Sequence, residues 1–238
     1  MLGFGRTDLD TIFLDAGNTL VGMDPMVVTA HLRSEGIVAA PEAFVRAEAA
    51  ARPALSSWLM AGTSSEARAT MAFFVARILE RLGVADVSLE RAGALVAGLR
   101  ARVPTERLWS RVLPGVPAAL AALRAAGLGL VVVSNSDGTV EQALARVGLR
   151  DLVDAVVDSA VVGMEKPAPG IFAHALALVG GCAARTLHVG DLYAVDVVGA
   201  RGLGLHAVLL DPFDDWPEVD CPRVADLAAL TRALGIAG

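Results

Sequence analysis

The chain has 238 residues, 55% hydrophobic, 19% charged and 5% aromatic. That length and apolar content fit one large domain, or one domain carrying an insert, with a core needing no disulfide or structural metal. Twenty basic against 26 acidic residues give a net charge of −6 with no basic run, so nucleic acid is not an expected partner.

No apolar run reaches the roughly 18 residues needed to cross a bilayer. Asp8, Asp10 and Asp15 interrupt the stretch a secretion signal would keep apolar. Cys182 and Cys221 are too few for a disulfide scaffold and lack metal spacing. A soluble cytoplasmic protein without membrane contacts is expected.

In chain order, the apolar run 11–14 reads as a strand ending at Asp15. The next stretch reads as four helices. Asp24-Pro25 opens the first and Gly36 stops it, and the second runs from Pro41 to about residue 61. Thr63-Ser64-Ser65-Glu66 is a capping box for the third, whose Met71, Phe74, Val75, Ile78, Leu79 and Leu82 step at helical spacing until Gly83. Ser88 starts the fourth, which ends before Pro104. From about residue 110, strands at 128–133, 155–157, 186–189 and 206–210 alternate with helices at 117–126, 140–147 and 171–179. Thr139 and Gln142 form a capping box for the second of these helices, and Gly127, Gly148 and Gly180 close all three. Unbroken apolar strands alternating with helices predict an α/β fold, a Rossmann-like, doubly wound parallel sheet. The expected organisation is a core of residues 1–21 and 110–238 with an inserted α-helical cap domain at 22–109.

Ligands of open α/β sheets bind beyond the carboxyl ends of the strands. The residues following the predicted strands include Asp15, then Ser134 and Asn135, then Lys166, then Asp191 and Asp196. Lys166 is the sole lysine beside 19 arginines, so this position has kept an ammonium in an arginine-rich chain. Each signal alone is ordinary: Asp, Ser and Asn form turns and caps, and a Lys before Pro can be a solvated loop cation. Four in succession at four strand ends suit a hard divalent cation and a phosphoryl group. Mg²⁺ is commonly held by one or two carboxylates plus substrate phosphate and water. Asp15 and Asp191 supply the carboxylates, and a desolvated Asp15 can act as nucleophile. Lys166 would neutralise charge, and Ser134 with nearby backbone N–H groups would hold phosphoryl oxygens. His188, inside an apolar strand, reads as a core residue. Tyr193 reads equally as a packing or a substrate-contacting residue.

These residues resemble the haloacid dehalogenase-like (HAD) hydrolase superfamily, of the kind with a helical cap after the first motif. Ile12-Phe13-Leu14-Asp15-Ala16-Gly17-Asn18-Thr19 resembles the first motif, Ser134 the second, Lys166 with Pro167-Ala168-Pro169 the third, and Gly190-Asp191 with Asp196 the fourth. The resemblance implies a Mg²⁺-dependent, phosphatase-type hydrolase of a small phosphorylated molecule, working through an aspartyl-phosphate. Asp15 would be nucleophile and metal ligand, Asp191 and the Gly17 carbonyl further ligands, and Asp196 a partner of Lys166 behind them. Ser134 and Lys166 would act with Asp15, and Thr19 and Asn135 would contact substrate.

One position departs from the family pattern. Its phosphatases carry an acid/base Asp two residues after the nucleophile, where this chain has Gly17. A carbonyl ligand survives that change, but leaving-group protonation does not, and a positioned acid/base is typically worth ~10²–10⁴-fold. Good leaving groups, such as acyl phosphates, would suffer least; a cap acid or Asn18 could partly substitute. The alternative reading is a degenerate member that binds metal and phosphate with little turnover. Other family chemistries fit less well. Residues 22–109 hold no Lys for phosphonate hydrolysis, Gly190-Asp191 argues against dehalogenation, and Gly17 disfavours phosphomutase action.

Overall fold

A computed structural model of the protein describes residues 2–62, 64, 65 and 67–236. Strand β1 (Thr11–Leu14) is followed by the short β2 (Val21–Gly22). Helices α1 (Pro25–Ser34), α2 (Pro41–Leu59), α3 (Arg68–Arg81), α4 (Leu89–Arg102) and α5 (Thr105–Leu108) come next. Then follow β3 (Arg111–Val112), α6 (Val116–Ala125), β4 (Gly129–Ser134), α7 (Val140–Arg146), β5 (Ala155–Asp158), α8 (Ser159–Val162) and α9 (Pro169–Val179). The chain continues through β6 (Thr186–Gly190), a π-helical turn at Tyr193–Val197, α10 (Val198–Gly202), β7 (His206–Leu210), β8 (Arg223–Val224) and α11 (Leu227–Ala233).

Among the described residues, six strands form one sheet in the order β5-β4-β1-β6-β7-β8, parallel throughout. This is the doubly wound α/β core expected. Successive strand side chains alternate faces. Ile12 and Leu14 pack with Leu120 and Leu123 of α6 and Leu230 of α11. Phe13 packs with Ile171 and Phe172 of α9 on the opposite side. Central β1 pairs with β4 and β6, placing Leu14 level with Val132 and Val189. Just past that level come Asp15, Ser134 and Asp191, so the register itself gathers them at one edge.

The segment between β2 and β3 is helical and has its own apolar cluster, built from Val28, Leu32, Phe44, Leu55, Phe74, Ile78 and Leu95. Ala194 and Val195, beyond β6, join that cluster, and Ala194 N donates to Ser56 Oγ of α2 at 2.9 Å. The helices therefore sit on the carboxyl edge of the sheet.

Local details differ from expectation. β2 and β3 pair antiparallel, tying the two chain crossings together. Thr139 makes no side-chain cap; Asp158, at the end of β5, accepts from Gly138 N and Val140 N instead, and Thr139 Oγ1 donates to Asp137. The proposed box at Thr63 and Glu66 falls outside the described residues, and α3 starts at Arg68. A short helix, α5, follows Pro104.

Candidate active site

Asp15 leaves β1 into a tight turn in which Ala16 O accepts from Leu20 N (2.9 Å) and Val21 N (3.0 Å). Asn18 takes the left-handed conformation there (φ 55°), which Asn tolerates better than most residues. Asp15 is buried, and its Oδ1 accepts from Lys166 Nζ at 2.7 Å. The same ammonium donates to Asp196 Oδ1 at 2.7 Å. Asn135 fixes the Lys166 backbone from both sides, accepting from its N–H (2.7 Å) and donating to its carbonyl (2.8 Å). A compact ammonium with three donors can bridge two carboxylates at this range, which a planar guanidinium would do poorly. That is a physical reason for a lone lysine in an arginine-rich chain.

Asp196 is held from several directions. Its Oδ1 also accepts from His188 Nε2 (2.9 Å), and its Oδ2 from Leu192 N (2.9 Å). Burial lowers the His188 pKa against the pull of Asp196, so the ring is neutral and donates. His188 is thus a core residue, as read, but also an Asp196 partner. Gly190 allows the packing: an ideal Cβ there would lie 2.1 Å from Asp196 Cγ. Despite burial, Lys166 and the His188 hydrogen bond hold Asp196 below the usual carboxylate range.

Asp191 faces a residue absent from the sequence reading. Arg52 of α2 places Nε 3.4 Å from Asp191 Oδ2. Its guanidinium is also paired with Glu48, one turn earlier on the same helix, with Nε–Oε1 3.1 Å and Nη2–Oε2 2.5 Å. Glu48 in turn accepts from Asn18 Nδ2 at 2.8 Å. Both charges lie on the buried stripe Phe44, Glu48, Arg52, Leu55, Leu59. Opposite charges four apart on an apolar face were the signal that could have revealed them.

The buried charges do not balance. Among the described residues, the four buried carboxylates of this cluster, Asp15, Asp191, Asp196 and Glu48, meet two buried cations, Lys166 and Arg52, with the half-buried Arg111 near Glu48, so acidic groups outnumber basic ones. Burial pushes Asp15 up to about 6 despite Lys166, with Asp196 adding repulsion. Burial likewise raises Asp191 well above the ordinary carboxylate value despite Arg52, with Asp15 repelling it. A divalent cation matches the surplus. Among the described residues no three His, Cys, Asp or Glu side chains form a metal-binding cluster. Asp15 and Asp191 with a backbone carbonyl would fit Mg²⁺, which is commonly held by one or two carboxylates, other oxygens and water. Gly17 fits as the backbone donor, since the hydrogen bonds of its turn are accepted by Ala16 and Val21.

A cavity of about 180 Å³ opens over this cluster. Asp15, Gly17, Ser134, Asn135, Lys166, Asp191 and Asp196 all line it. Thr19 does not; it is buried behind the turn, and among the described residues its hydroxyl has no partner. Tyr193 also lies off the cavity wall, its hydroxyl donating to Asp220 at 2.6 Å. Trp109, likewise missed in the sequence, stands over Gly17: an ideal Cβ at position 17 would lie 3.2 Å from its Cζ3.

A family model described as haloacid dehalogenase-like hydrolase matches residues 9–204. The chain belongs to the haloacid dehalogenase-like hydrolases. It is 39% identical over 127 residues to haloacid dehalogenase-like hydrolase domain-containing protein 3 of Bos taurus, covering 52% of this chain and 51% of that protein. It is 36% identical over 122 residues to ribulose-1,5-bisphosphate 5-phosphatase of Halopiger xanaduensis, covering 51% and 50%. The chain thus spans about half the length of the curated relatives it matches. In fold it is similar to the magnesium-bound HAD-hydrolase YfnB from Bacillus subtilis, with TM-score 0.67 and 18% identity over 96% of this chain and 99% of that one. No helix among the described residues is long and apolar enough to cross a membrane. Asp15, Ser134, Lys166 and Asp191 meet at one cavity, and the ring of Trp109 stands over Gly17.

Proposed function

We propose that this protein is a Mg²⁺-dependent phosphohydrolase of a small phosphorylated molecule, acting through a phosphorylated Asp15. The observation that carries this reading is the pair Asp15 and Asp191, buried at neighbouring strand ends, with Asp15 tied to Lys166 at 2.7 Å. The phosphatase relatives, ribulose-1,5-bisphosphate 5-phosphatase and the glyceraldehyde 3-phosphate phosphatase of Methanothermobacter thermautotrophicus, support the same chemistry. Asp15, Asp191 and the Gly17 carbonyl would hold the metal, which when bound supplies Lewis-acid stabilisation of phosphoryl oxygens.

Asp15, held at Oδ1 by Lys166, would attack phosphorus through a carboxylate oxygen. The phosphorus–oxygen bond to the leaving group breaks with its electron pair on the departing oxygen. Water then attacks the phosphorus of the acyl phosphate, the P–O bond to Asp15 breaks with its electron pair on the restored carboxylate, and inorganic phosphate leaves with water's proton passed to solvent. Lys166 and Ser134 stabilise the charge on the phosphoryl oxygens through both steps. Asn135 and Asp196 act on Lys166, holding its backbone and ammonium in place.

Residues 22–109 serve as a cap in this reading, closing over the carboxyl edge to exclude water. The Arg52–Asp191 and Asn18–Glu48 contacts, with Ser56–Ala194 and Arg46–Asp215, are among the points at which the cap grips the core. A disulfide or cross-link fixing α2 to the core should stop turnover, whereas unchanged rates would exclude lid motion.

The second reading, a metal- and phosphate-binding protein with little turnover, is favoured by Gly17 and the ring over it. Phosphate release from p-nitrophenyl phosphate and acetyl phosphate decides between them. Release from both, abolished by EDTA, supports the hydrolase; no release from a broad panel, with Mg²⁺ still bound, supports the binding protein.

A further inference from the structure

The cavity has a charged floor, and Ser65, Thr70, Arg100, Thr105 and Asp137 also line it, but one stretch of its wall is apolar. Leu55, Phe74 and Val195 on its wall are buried members of one apolar cluster, against which Trp109 and Leu192 pack. The benzo ring of Trp109 covers the Gly17 turn, with Cζ3, Cη2 and Cε3 at 3.2, 3.5 and 3.8 Å from an ideal Cβ at that position. The place of an acid beside the leaving group is therefore filled by an aromatic ring.

We infer that the substrate is a phosphate carried on an apolar, weakly basic leaving group, typified by an aryl phosphate whose ring lies against Trp109. This rests on the hydrolase reading above and names the substrate class of the same site. Two observations converge on it. Hydroxyls of a sugar or triose leaving group that lay on Leu55, Phe74 and the benzo ring of Trp109 would meet no hydrogen-bond partner in those side chains, which is unfavourable. An aromatic ring gains offset or edge-to-face contact with the indole in the same space. An apolar cavity of about 150 Å³ suffices to hold a benzene ring.

The second observation is chemical. With no carboxylate at position 17, the breaking bond leaves its electron pair on an oxygen that receives no proton from that turn. A phenolate, whose conjugate acid has a pKa of about 10, carries that charge. An alkoxide, nearer the ~16 of water, does not. The products are then a phenolate, which takes its proton from solvent, and inorganic phosphate formed when water opens the acyl phosphate on Asp15.

Titration calorimetry of the Mg²⁺-loaded protein with phenylphosphonate and methylphosphonate tests the pocket without any turnover. Phenylphosphonate should bind about tenfold tighter or better. Trp109→Ala should lose that preference and Trp109→Phe should keep it, which separates loss of the ring from loss of fold. Equal affinity for the two phosphonates overturns the inference. In kinetics, phenyl phosphate should exceed benzyl phosphate and glucose 6-phosphate in kcat/KM, and the reverse order overturns it as well. Absence of release from every substrate, acetyl phosphate included, strikes the hydrolase reading instead, while the phosphonate comparison still judges the pocket.

Discussion

Arg52 Nε lies 3.4 Å from Asp191 Oδ2, so a helix of the inserted segment sets a guanidinium against one of the two carboxylates that would receive a divalent ion. Cation and guanidinium then compete for the same charge. Arg52→Gln should raise Mg²⁺ affinity on the order of tenfold, because a nearby positive charge at an effective dielectric near 20 is worth a kcal/mol or more. Calorimetric titration with MgCl₂ reads this directly. Equal or weaker affinity in the variant would mean that Arg52 does not oppose the metal.

Lys166 is enclosed by Asp15 and Asp196 at 2.7 Å each, with its side chain 1% exposed. Removing it leaves two buried carboxylates facing each other without a counter-charge. Lys166→Met should therefore destabilise the metal-free protein by about 3–5 kcal/mol, measured by urea unfolding at neutral pH. A loss below about 1 kcal/mol, the range of surface pairs, would show that the ammonium is not the keystone of the cluster.

Gly190 admits the Asp196 carboxylate where a Cβ would stand. Gly190→Ala should destabilise by at least the 1–3 kcal/mol typical of overpacking, since the clash is with a side chain fixed by Lys166, His188 and Leu192 N. Unfolding midpoints within error of the wild type would contradict the rigidity claimed for Asp196.

The parts of the site carried by strand ends are legible in the sequence because chemistry there is punctuated: an apolar run stops and a Asp, Ser or Gly-Asp follows. Asp15, Ser134 and Asp191 are of that kind, while Lys166, in the loop between α8 and α9, stands out as the chain's one lysine, and all four reach the cavity. Arg52 and Glu48 carry no such punctuation; only their place on the helix face of Phe44, Leu55 and Leu59 marks them as buried. Trp109 carries no local pattern; its role depends on a turn more than ninety positions earlier. Thr139 shows the opposite failure, a plausible local cap displaced by Asp158 from the neighbouring strand. The β2–β3 ribbon, two residues a side, is too short to show any periodicity.

Gly17 lies outside the left-handed region, unlike Asn18, so its backbone accepts a side chain; the obstacle is the ring of Trp109 at 3.2 Å. Gly17→Asp should accelerate hydrolysis of esters with poor leaving groups, within the ~10²–10⁴-fold reach of a positioned acid, and acetyl phosphate far less. The gain should be larger when Trp109→Leu is combined with it. Equal gains on both substrates would point to improved binding rather than protonation. No gain on either, with the variants folded and Mg²⁺-bound, would clear Gly17 as the chemical bottleneck.

The central claim is that Asp15 carries the phosphoryl group. Acid quench of the Mg²⁺-loaded protein during turnover of acetyl phosphate, followed by peptide mass spectrometry, tests it most directly. The account predicts one phosphoryl group on the peptide containing Asp15, absent in Asp15→Asn and absent when EDTA precedes the substrate. Steady phosphate release from the wild type with that peptide unmodified, or an Asp15→Asn variant that turns over at the wild-type rate, would contradict it.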